Sequence, residues 1–168
     1  MDAPPRTPTL LLSIVPALVA CTSNRGAPAD EHRRPPRPRL TCGADQRGGG
    51  DLPYCVALPA GVTEVGRSAA AVKYQGMDEP AARLSVLVAL PDASTARGML
   101  KHSATVVRQG ELPGHGGEFV VSRDGPIVHA TAVYTPATGP IVCDTSWPAS
   151  QAAVGAALTE ACLHLTVQ

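Results

Sequence analysis

Residues 41–168 predict an α+β domain: a single, mostly antiparallel sheet with two helices packed on it, braced by disulfides. Three observations carry that expectation. Apolar segments of strand length are separated by hairpin-length connections, which favour antiparallel neighbours. Two later stretches carry apolar residues at helical spacing. Four cysteines fall in this part of the chain, an even number. Apolar residues make up 44% of the 168, enough for one packed core, and only 3% are aromatic, so that core must rest on Val, Leu and Ala.

The elements follow in order. Residues 54–58 are apolar and end at the Pro59-Ala60-Gly61 turn. Residues 62–65 and 69–74 read as short strands around Gly66, and residues 76–80 break the chain again. Residues 84–90 (LSVLVAL) form the strongest strand, continuously apolar and therefore expected in the middle of the sheet. Asp92 then offers an N-cap. Ala93, Ala96, Met99, Leu100, Ala104 and Val107 recur at helical spacing behind it, although Gly98 weakens the helix by roughly 1 kcal/mol relative to Ala.

Residues 114–117 read as a loop, and 118–123 and 127–135 as strands. Asp124-Gly125 between them is a hairpin signal, because both residue types tolerate the positive φ of a tight turn. Residues 136–140 turn once more, 141–143 return as a strand, and a helix runs from about 150 to 164. Its buried stripe is Val154, Ala157, Leu158, Ala161, Cys162 and Leu165. This order of strands, helix, three strands and helix over about residues 52–167 resembles the PsbP/Mog1-like sandwich, which also occurs in some bacterial lipoproteins. The likeness is one of element order and transfers no site.

The amino-terminal residues 1–20 read as a secretion signal. Arg6 supplies a positive start and residues 10–18 (LLLSIVPAL) a nine-residue apolar stretch. That is too short for a hydrocarbon core of about 30 Å, which takes ~20 apolar residues. Leu18-Val19-Ala20-Cys21 resembles the lipobox of bacterial lipoproteins. The resemblance implies diacylglyceryl transfer to the Cys21 thiol, cleavage before it, and often acylation of the new amino group. Several acyl chains on one residue would anchor the protein to a lipid membrane, which one chain does only marginally. Thr22, where the family's retention signal is usually Asp, implies the outer membrane if the cell has one. The competing reading is a secreted protein with Cys21 as a stray thiol.

Residues 21–40 join this signal to the domain at 41–168. Four prolines and five arginines without apolar periodicity cannot offset the entropy of ordering, so the segment reads as a disordered spacer. The prolines extend it. Its arginines could also meet anionic headgroups. Residues 22–40 carry a net charge of +3, and residues 41–168 carry eight basic against eleven acidic groups. The folded part is thus mildly acidic, the reverse of a nucleic-acid binder.

Cys42, Cys55, Cys143 and Cys162 allow three connectivities. Local pairing is preferred. Cys42–Cys55 would close a Gly-rich loop with no other source of order, and Cys143–Cys162 would pin the last strand to the last helix. Each such bond contributes on the order of 3 kcal/mol by loop-closure reasoning. Zinc is the alternative, but no C-x-x-C pair is present and the histidines lack ligand spacing. The residues call for no cofactor.

Two places invite a catalytic reading. His115-Gly116-Gly117 is like an esterase oxyanion loop, yet the G-x-S-x-G elbow is absent. Cys143-Asp144-Thr145-Ser146-Trp147 is the densest polar cluster, expected as a loop before the last helix. There Asp144 or Ser146 would cap the helix, and Trp147 would cover the end of the core. The leading expectation is therefore a non-enzymatic envelope lipoprotein, facing outward, that binds a protein or an apolar ligand on its sheet face. The second is a small envelope hydrolase using residues 143–147 with His115.

Overall fold

The computed structural model describes residues 39–100, 105–112, 114 and 116–168. The signal segment, Cys21, nearly all of the spacer and His115 lie outside these residues. Among the described residues ten strands and two helices make the fold mostly β, and the strands divide into two sheets rather than the single sheet expected. The larger has seven strands in the order β3-β4-β5-β9-β8-β7-β6, all antiparallel. It consists of two meanders. The first is β3 (Val62–Arg67), β4 (Ala71–Gly76) and β5 (Arg83–Leu87). The second is β6 (Thr105–Leu112), β7 (Gly117–Asp124), β8 (Ile127–Tyr134) and β9 (Ile141–Pro148). They join where β5 pairs with β9, which makes β9 the middle strand.

The smaller sheet has the order β1-β2-β10, with β1 (Gln46–Gly48), β2 (Tyr54–Ala57) and β10 (Thr166–Val167). Its outer strands are two and three residues long and carry too little apolar pattern to be read from sequence. The end of the chain supplies β10, which pairs with β2 through Thr166 and Val167.

Helix α2 (Ala152–Leu163) follows β9 after a single 3₁₀ turn and packs with β2 on one face of the large sheet. Of the expected stripe, Leu158, Ala161 and Cys162 are buried within the helix and Leu165 just past its end, and Val154 and Ala157 are half-buried. All five aromatic side chains are buried: Tyr54, Tyr74, Phe119, Tyr134 and Trp147. Their scarcity in composition therefore understates their share of the core. The Tyr134 hydroxyl donates to the Cys162 carbonyl at 2.7 Å and accepts from the Leu165 amide at 3.1 Å, closing the carboxy-terminal end of α2. Burial pushes this phenol up to about 12.

Helix α1 (Ala93–Gly98) is the shortest departure from expectation. Asp92 caps it as read, accepting from the Thr95 amide at 2.7 Å, and that bond holds its carboxyl below the usual range. The helix stops at Gly98, and Thr105, Val106 and Val107 belong to strand β6. β-branched residues lose little on a pleated strand and crowd a helix, and three in a row outweigh a helical spacing of small alanines. The short helix lies on the sheet face opposite α2, where Ala96 packs with Val133 and Val142. Arg97 pairs with Glu118 of β7 at 3.1 Å.

Candidate functional site

Residues 143–147 are not a loop before a helix. They lie inside β9, paired on one side with β5 and on the other with β8. Period-two alternation therefore splits the cluster between two faces. Cys143, Thr145 and Trp147 point into the core under α2, and Asp144 and Ser146 point to the opposite face. The capping roles read for Asp144 and Ser146 are not filled. The first helical turn has Pro148 before it, α2 has Gln151, and neither makes a side-chain cap. Trp147 does cover the core, and its indole lies against Gly155 of α2.

Both local cysteine pairs are bonded: Cys42–Cys55 and Cys143–Cys162, each with Cα atoms 5.5 Å apart. The first closes the Gly-rich loop, in which Gly48, Gly49 and Gly50 all have positive φ. A Cβ on Gly49 would sit 2.8 Å from the Cys42 sulfur, so the loop wraps the bond tightly. The second ties β9, the strand expected at 141–143, to α2.

The face carrying Asp144 is only partly covered by α1, and a groove of about 500 Å³ opens there. Cross-strand register sets its walls. One row runs Ala71, Leu87, Val142 across β4, β5 and β9, and is apolar. The next row runs Lys73, Ser85, Asp144, Thr131 across β4, β5, β9 and β8, and is polar. Gly98 and Met99, at the end of α1, close the apolar side. Thr131 is buried and donates its hydroxyl hydrogen bond to Asp144 Oδ1 at 2.7 Å. The continuous apolar run at 84–90 concealed this arrangement. In β5 only Leu84 and Val86 enter the core, and Ser85 and Leu87 line the groove. Alternation of Lys73 with Val72 and Tyr74, and of Asp144 with Cys143 and Thr145, was the available signal.

Beyond this row lies a third, in which His129 stands between Ser146 and Ser122. The structure thus places a histidine beside Ser146 from β8. Among the described residues no group of three His, Cys, Asp or Glu side chains is placed to hold a metal ion, and no helix is long and apolar enough to cross a membrane.

An antiparallel sheet with α2 and a small second sheet on one face and a short helix on the other is similar in fold to PsbP. The solution structure of cyanobacterial PsbP (CyanoP) from Synechocystis sp. PCC 6803 is similar, with a TM-score of 0.55 and 14% identity over 77% of this chain and 98% of that one. At that identity the likeness is one of fold. A crystal structure from Bacteroides thetaiotaomicron aligns with a TM-score of 0.43 and 12% identity over 69% of this chain and 45% of that one, too loosely to support a fold argument. No family model matches the sequence, and no curated protein matches it.

Proposed function

We propose that the protein is a lipid-anchored, non-enzymatic binding module of a bacterial cell envelope that takes its ligand in the groove on the open sheet face. The observation that carries this reading is the groove itself. Its volume is within the ~300–1,000 Å³ of small-molecule sites, and it joins an apolar wall to a few placed polar groups. Two disulfides fit an oxidising compartment. The lipobox-like residues ending at Cys21 supply the anchor.

The hydrolase alternative has less support. The Cys143 sulfur is bonded to Cys162 and cannot attack a substrate. Ser146 sits in a strand paired on both sides, so the amides around it are spent in the ladders. Acyl transfer needs free donors aimed at an oxyanion, which such a strand does not offer.

The test has two parts. For the anchor, the wild-type chain is expected to partition into detergent and take up labelled fatty acid, and Cys21→Ala to do neither. Equal partitioning of both would remove the lipoprotein reading. For the groove, the full chain carries labelled Met methyl groups and is titrated with cyclohexanol by NMR. The Met99 methyl, at the groove wall, is expected to shift saturably, and the Met77 methyl, 67% exposed elsewhere, to stay. Ser85→Trp fills the groove and is expected to abolish the Met99 shift. Equal movement of both methyls, or binding that survives Ser85→Trp, would show that the groove is not the site.

A further inference from the structure

We infer that the groove recognises a small apolar zwitterion, an apolar amino acid or short apolar peptide with both ends free, whose ammonium group meets Asp144 and whose carboxylate meets Lys73. This rests on the groove being the binding site, and names what it selects. Ala71, Leu87, Val142 and Met99 offer an apolar wall for a side chain. Beside that wall the polar row carries one cation and one anion, separated by Ser85. Adjacent strands lie about 4.8 Å apart, so Lys73 and Asp144 stand roughly 9–10 Å apart at the backbone. An extended dipeptide spans roughly 7 Å, and the flexible lysine stem covers the difference.

Among the described residues the two charges are not spent elsewhere. Among the described residues, Lys73 enters none of the ion pairs, which involve Arg39, Arg67, Arg97 and His164. Asp144 is half-buried. Thr131 fixes its Oδ1, and among the described residues nothing donates to its Oδ2. A held carboxylate with one free oxygen is a ready acceptor for an ammonium group, and a charge-assisted bond of this kind is stronger than a neutral one. The pair also discriminates. A fatty acid can pair with Lys73 but leaves Asp144 without a cation, and a simple amine can pair with Asp144 but leaves Lys73 without an anion. Only a ligand carrying both signs satisfies both, so a singly charged ligand gives up one of the two charge-assisted contacts.

The experiment uses the same Met99 methyl signal with the dipeptide Leu-Leu as probe. Leu-Leu is expected to bind the wild-type chain about tenfold more tightly than either its N-acetylated or its C-amidated form. Asp144→Asn keeps an acceptor for Thr131 and is expected to lose about tenfold for Leu-Leu while binding the acetylated form as the wild type does. Lys73→Met is expected to do the same with the amidated form. If cyclohexanol moves Met99 but Leu-Leu binds no better than its blocked forms, the zwitterion inference is wrong and the groove remains a binding site. If neither probe moves Met99, the groove reading itself fails.

Discussion

Gly155→Ala will destabilise the domain by about 2 kcal/mol, against the usual sign of that substitution. In a helix interior Ala is favoured over Gly by roughly 1 kcal/mol, because glycine loses more backbone freedom on folding. Gly155 lies inside α2, so local propensity alone would forecast a gain. The tertiary contact reverses it. A Cβ at this position would lie within the Trp147 indole, on Nε1, Cδ1 and Cε2. That ring cannot swing away, since it is 6% exposed and held between the sheet and the helix. Helix or ring must move, and overpacking of this kind costs about 1–3 kcal/mol. Trp147→Ala alone is expected to cost about 3–5 kcal/mol, as large aromatic truncations do. The decisive measurement is the cycle of the two by chemical denaturation. In the Trp147→Ala background the clash is gone, so Gly155→Ala is expected to become neutral or stabilising. A Gly155→Ala penalty of equal size in both backgrounds would show that the indole contact is not its cause. Ser146→Ala, on the open face of β9, is the control and is expected to stay within about 0.5 kcal/mol of wild type.

What the sequence conceals here is instructive. The strands at 54–58, 62–65, 69–74, 118–123 and 127–135, the Asp92 cap, the terminal helix and both cysteine pairs are local patterns, and each is found near its expected place. The errors come from long-range pairing. β9 continues through Asp144 and Ser146 because β5 and β8 lie alongside it, and nothing within five residues announces those neighbours. Residues 105–107 join β6 because β7 offers a partner, although the apolar spacing before them looks helical. β1 and β10 exist through β2. The groove was hidden for the same reason. Ala71, Lys73, Leu87, Ser85, Val142 and Asp144 come from three strands, and only register makes them two adjacent rows. Once β9 is known to be a strand, the dense polar cluster separates into a core half and a half on the open face of the sheet.

The two disulfides are expected to differ in both energy and accessibility. Loop length alone hardly separates them, since they close sequence separations of 13 and 19 residues, and the entropic contribution of each is on the order of 3 kcal/mol. Surroundings separate them. Cys143 and Cys162 are both fully buried, one in the middle strand and the other in the helix that covers it. Replacing both by Ala removes the tie between sheet and helix and leaves a void where two sulfur atoms packed. Cys55 is also fully buried, but Cys42 is half-exposed in a loop at the rim. A Cys42→Ala/Cys55→Ala pair releases a surface loop and is expected to keep the main core. The loss for Cys143→Ala/Cys162→Ala is therefore expected to exceed that for the other pair by about 1 kcal/mol or more. Reduction follows the same order. Thiolate exchange needs in-line access to a sulfur, so mild reductant under native conditions is expected to open Cys42–Cys55 first. Cys143–Cys162 then waits for the helix to leave the sheet, and opens at the rate of that unfolding. Alkylation of a partly reduced sample, followed by peptide mapping, reads the order directly. Labelling of Cys143 and Cys162 ahead of Cys42 and Cys55 would mean that α2 detaches from the sheet more readily than its buried contacts imply.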